Sequence, residues 1–138
     1  MKKRMVLYII SLIVVFLLSA CSSQKVADPI VLPEVGDLTS ISIVSGDIAA
    51  TSIDKQWMAD FMAILTDMEP TSQSSVSDAP SVEGYIAINL NCSDGSVKTV
   101  FFYEKNGKEY VEQTYQGIYI PSSELGEKIT ELLESLDS

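Results

Sequence analysis

The chain has no histidine, and its only cysteines are Cys21 and Cys92. Without histidine there is no serine–histidine–acid triad and no zinc site built on imidazole; with two lone cysteines there is no paired-thiolate site either. Positive charge is scarce too, at nine Lys and Arg against 19 Asp and Glu, a net charge of −10. That balance, with no basic patch interleaved with aromatics, excludes nucleic-acid binding. No glycine-rich phosphate loop occurs, because the glycines are scattered singly. No apolar run reaches the roughly 20 residues that a membrane-spanning helix needs.

What is present begins with an address. Lys2, Lys3 and Arg4 precede an apolar run from Met5 to Leu18, and Leu18-Ser19-Ala20-Cys21 follows. A charged start, a short apolar stretch and a small-residue cleavage site form a secretory signal peptide. The tetrad resembles a bacterial lipobox. That resemblance implies a lipid on Cys21, cleavage before it, and a membrane-anchored, extracytoplasmic mature chain. Cleavage removes Lys2, Lys3 and Arg4, so the side chains of the mature protein carry −13. Such acidity reads as a solvated surface that repels anionic headgroups. Once Cys21 is lipidated, Cys92 stands alone and no intramolecular disulfide is expected. Cys92 ends an apolar strand pattern and reads as a small hydrophobe.

The expected organisation is a signal peptide over 1–20, a lipidated tether over 21–36 and one domain over 37–138. Pro29 and Pro33 disfavour helix and central strand in the tether. Fully extended, it reaches roughly 50 Å. In the domain, Leu38, Ile41, Ile43 and Ile48 around Gly46-Asp47 predict a hairpin of strands 38–45 and 48–53. Asp54 caps a helix whose Trp57, Phe61, Ile64, Leu65 and Met68 share one face, and Pro70 ends it. Residues 69–82 read as a long Ser- and Pro-rich loop. Alternation from Tyr85 predicts a meander. A two-residue turn at Asp94-Gly95 sets Ile88 opposite Phe101. A three-residue loop at 105–107 sets Phe101 opposite Val111 and Glu104 opposite Lys108, and places Phe102 opposite Tyr110 on the second face. Ile118–Ile120 is a last strand. Ser122 caps a helix with Leu125, Ile129, Leu132, Leu133 and Leu136 on one face. The fold class is thus α+β: two layers, an antiparallel sheet of about five or six strands and two amphipathic helices.

No catalytic constellation or cofactor motif stands out. Asn89 to Gly95 loosely suggests a calcium loop, but the spacing is wrong and Val100 stands where the closing glutamate belongs. Asp67, Glu69, Asp78 and Glu83 flank the long loop, yet nothing aligns two of them as a glycosidase pair. The aromatics give a better lead. Tyrosine is favoured at recognition surfaces, where its ring buries area and its hydroxyl bonds. The candidate binding surface is Tyr115, Gln116 and Tyr119, with Phe102 and Tyr110 on the adjoining face; the competing reading is that strands are simply rich in aromatics.

Trp57, the strand at Tyr85, Phe102-Tyr103-Glu104 before Asn106-Gly107, and Glu112-Gln113-Thr114-Tyr115-Gln116-Gly117-Ile118-Tyr119 together resemble a family of small uncharacterised lipoproteins of Gram-positive bacteria. The resemblance spans roughly residues 35–135. It implies a host with one membrane and no particular chemistry. The expectation is a monomeric, non-catalytic binding or interaction module, with the membrane as one partner through Cys21 and a protein or cell-envelope partner as the other. The alternatives are an envelope hydrolase using paired carboxylates, or an inhibitor or accessory of a secreted enzyme.

Overall fold

A computed structural model describes residues 25–137. The signal peptide, Cys21 and the first tether residues lie outside the described residues. Seven strands form one antiparallel sheet: β1 (Leu38–Ser45), β2 (Ile48–Ser52), β3 (Glu69–Pro70), β4 (Ile86–Cys92), β5 (Val97–Lys105), β6 (Lys108–Gln113) and β7 (Gly117–Ile120). Their spatial order is β2-β1-β4-β5-β6-β7-β3. Helices α1 (Lys55–Thr66) and α2 (Ser123–Glu134) complete the α+β fold. The seventh strand is β3, two residues that add to the edge beside β7. Its Pro70 is tolerated there because an outer strand leaves the missing N–H without a required partner.

Both helices pack on one face. Ile41, Ile43, Ile88, Leu90, Val100 and Val111 of the sheet meet Met58, Phe61, Met62 and Leu65 of α1 and Leu125 and Ile129 of α2. Asp54 caps α1 as its position suggests, accepting from the Trp57 N–H at 2.7 Å. The buried stripe is rotated from the expected one, since Met58 and Met62 take its centre while Trp57 and Ile64 lie at its margin. Trp57 instead stacks on Phe61 at 5.0 Å between ring centroids. In α2, Ser122 occupies the cap position without a side-chain bond, and Leu136 is exposed beyond the helix.

The β1–β2 hairpin forms as read, with Ser45 opposite Ile48. The next two turns exchange lengths. At 93–95 the loop has three residues, closed by Cys92 N–H to Ser96 O at 2.9 Å, with Gly95 at φ +86°. At Asn106-Gly107 it has two, both at positive φ (55° and 76°), as a type I′ turn requires. Consequently Ile88 faces Val100, Phe102 faces Val111, and Glu104 faces Glu109. The two one-residue corrections add to a two-residue slip between β4 and β6, which keeps the faces of both, and turn β5 over, because one residue of slip exchanges the faces of a strand. The physical reason is the core. Val100 and Phe102 fill the helix side better than Thr99, Phe101 and Tyr103 would. The Glu104–Glu109 pairing is tolerated at the solvated end of the hairpin, where water screens it.

The expected tether is largely part of the domain. Residues 27–35 form a strap across the end of the sheet that holds the start of β1, the β4–β5 turn and the β6–β7 turn. Ala27 N–H donates to Thr71 O at 2.7 Å. Gln116 Nε2 donates to Pro29 O at 2.8 Å, and Tyr119 OH donates to Asp28 O. Gln113 does most: its Oε1 accepts from Val31 N–H at 2.8 Å and its Nε2 donates to Val31 O at 2.7 Å. A buried side-chain amide thus pairs with Val31 as a neighbouring strand would. Gly117 lets the strap approach, since a Cβ there would overlap the methyl of Ala27. Ile30 and Leu32 then reach the core.

Removing the amide should therefore loosen the strap before the sheet. Gln113→Ala is expected to cost about 1–3 kcal/mol, the penalty for stranding polar groups at a part-buried site. Denaturant melts measure that cost, and amide exchange at Val31 should accelerate more than exchange at Ile88.

Candidate functional site

The five candidate residues do not form one surface. Phe102 lies on the helix side, half-buried against Gly126 of α2. Tyr110 lies on the opposite face, against Tyr103 with centroids 5.8 Å apart. The expected Phe102–Tyr110 pairing is replaced by Tyr103–Tyr110 because β5 is turned over. Tyr119 is buried and Gln116 is engaged with Pro29, so both serve the strap. Of the five, Tyr115 alone is exposed, at 67%, in the β6–β7 turn.

That exposure coincides with strain. Tyr115 has φ 60°, a left-handed conformation that glycine or asparagine adopts cheaply and a bulky residue does not. The surroundings enforce it. Tyr115 N–H donates to Ser75 Oγ at 3.3 Å, and Tyr115 OH donates to Asp78 at 2.6 Å. Ser75 also donates to Glu112 Oε1 at 2.7 Å. This is how the segment after β3 is held. Expected to be an open loop, it lies over the second face of β5–β7, with Ser75 and Pro80 buried. Glu112, itself 6% exposed, takes a second hydroxyl from Tyr103 at 3.3 Å. Burial, and then the neighbouring Glu112 carboxylate, push the Tyr103 phenol up to about 12. The bond to Asp78 also raises Tyr115, whose neutral form donates it.

The strap and this segment meet beside Tyr115. Lys25, Asp28, Ser72, Ser74, Tyr115 and Gln116 border a shallow polar cavity of about 320 Å³ there. On the other side of the strap, Ile30, Leu32, Met62, Met68 and Tyr119 line an apolar groove of about 700 Å³. Among the described residues no three Cys, Asp or Glu side chains are placed to share a metal ion, and no helix is long and apolar enough to cross a membrane. A corner of hydroxyls, amides and one ring offers hydrogen bonds and stacking, the chemistry of non-covalent recognition. Sequence reasoning missed Ser75, Glu112 and Gln113. The available signal was the run Glu112-Gln113, polar residues where the strand alternation continues toward buried Ile118 and Tyr119.

Residues 26–120 match the family model DUF5301, whose description reads Domain of unknown function (DUF5300). The fold is also similar to the NMR structure of a protein from Ruminococcus gnavus, with a TM-score of 0.58 and 33% identity, covering 66% of this chain and 89% of that one. No curated protein matches the chain.

Two outcomes follow from the corner. Tyr115→Asn should leave the melting temperature unchanged or raised, because relief of the left-handed strain, worth about 1 kcal/mol, offsets an exposed hydrogen bond. The Tyr103 phenol, raised in the fold, contributes stability that is present below about pH 10 and lost as pH rises toward 12. Melting temperatures taken across that window should fall less steeply for Tyr103→Phe than for the parent.

Proposed function

Since the chain belongs to the DUF5301 domain family, whose description states no activity, its own residues must carry the functional reading, and we propose that it is a lipid-anchored extracytoplasmic interaction module without catalytic activity. The anchor is Cys21, supported by the Lys2–Arg4 start, the apolar run to Leu18 and the Leu-Ser-Ala-Cys tetrad. The contact surface is the Tyr115 corner. The observation that carries it is an exposed aromatic ring held at positive φ. The ring itself buries nothing in the core, and residues kept in such conformations cluster at binding sites and clamps. Gln116, Tyr119, Phe102 and Tyr110 belong to the scaffold in this reading.

Mass spectrometry of the native protein should find an acyl adduct on Cys21 and no Met1; an intact amino terminus would remove the anchor. A photo-crosslinking phenylalanine analogue at position 115, illuminated in cells, should give a discrete adduct that the same group at Ser77 does not. Equal or absent adducts at both positions would end the assignment of this corner.

A further inference from the structure

The strap changes the reach of the anchor. With the domain beginning at Ala27, only residues 22–26 separate it from Cys21, and the links from Cys21 to Ala27 span at most about 20 Å when fully extended. The longest strand, β5 with nine residues, is about 30 Å long. The leash is therefore shorter than the domain, and the strap end of the sheet is the end nearest the lipid. Apolar groups reach solvent at that end. Val26 projects just before the strap, Val31 and Val35 from it, Val97 from the start of β5 and Tyr115 from the β6–β7 turn, five of the eleven large hydrophobic side chains exposed among the described residues. Ser93 N–H, bonded to Asp37 O at 2.8 Å, fixes the β4–β5 turn to the base of the strap.

We infer that this end rests on the membrane, with Tyr115 and the strap valines in the headgroup layer and the Gly46-Asp47 and Asn106-Gly107 turns pointing away. The inference rests on the lipid at Cys21 and names the partner of the Tyr115 corner: a bilayer surface. Tyrosine suits that position because its ring and hydroxyl match a layer that is apolar below and wet above. The charge at the same end specifies the lipid. Asp28, Glu34, Asp37 and Asp94 stand there against Lys25 and Lys98, and hydrogen bonds from Ser96 hold the Asp94 carboxyl below its ordinary value. An electrically neutral, zwitterionic headgroup fits; an anionic one is repelled.

The test uses the full chain expressed with its native processing, purified with its lipid and reconstituted in phosphatidylcholine vesicles carrying a headgroup quencher. Single fluorophores are placed at Val31→Cys, Val97→Cys and Asp47→Cys in a Cys92→Ser background. Quenching at 31 and 97 should exceed that at 47 by about threefold or more, in keeping with a separation larger than a contact quencher's reach. Replacing half the phosphatidylcholine with phosphatidylglycerol, at low salt, should reduce the quenching at 31 and 97. Equal quenching at all three sites, or stronger quenching at 47, overturns the orientation while leaving the anchor intact. An unmodified Cys21 in the mass spectrum of the same preparation overturns both. A protein adduct, rather than a lipid adduct, from the crosslinker at position 115 overturns the bilayer as partner and leaves the corner as a recognition surface.

Discussion

The grip of residues 112–119 on two distant segments holds this domain in one piece. Gln113, Gln116, Gly117 and Tyr119 fasten the strap, while Glu112 and Tyr115 fasten the segment after β3 through Ser75 and Asp78. Each contact is small, on the order of 1 kcal/mol net. Their effect is collective, because they convert two irregular stretches into covers for the groove beside α1 and for the second face of the sheet. A sheet with both helices on one side would otherwise leave Tyr103 and Ile118 open to water.

The family resemblance seen in the sequence takes a physical meaning from this grip. The run Glu112-Gln113-Thr114-Tyr115-Gln116-Gly117-Ile118-Tyr119 looks like a recognition motif because it is rich in Tyr and Gln. Most of it faces inward. Tyr119 lends its hydroxyl to a backbone carbonyl, Gln113 imitates a strand, and Gly117 is small because Ala27 lies against it. Tyr115 is the exception, and its left-handed backbone marks it as such.

What was legible in the sequence was local. The cap at Asp54, the Gly46-Asp47 hairpin, the alternation of β4 and the stripe of α2 are set by neighbours a few residues apart, and each formed close to where its pattern lies. The face of β5 depends on two turn lengths, at 93–95 and at Asn106-Gly107, and one residue of difference in each reverses it. Glu104 facing Glu109 looks unfavourable, but Asn106-Gly107 is the stronger instruction, and solvent removes most of the repulsion. The strap, β3 and the covering segment were illegible for a different reason. Their side-chain bonds join residues 37 to 91 positions apart, to side chains and to backbone alike, and such contacts leave no periodicity to read. The candidate site suffered likewise. Only Tyr115 of the five residues could be recognised as outward-facing, and only once its backbone angle was known.

The strap also decides how the domain bears load. A pull on the amino terminus does not reach β1 first. It arrives at Ala27, Asp28, Pro29 and Val31, and passes through their partners into β6, β7 and the β6–β7 turn. Bonds met one after another open at lower force than bonds loaded together, so the strap peels before the sheet feels tension. Each freed residue lengthens the leash by about 3.4 Å. Tension at that end would thus draw slack from the edge of the domain, lifting Ile30 and Leu32 from the margin of the core before the sheet itself is strained.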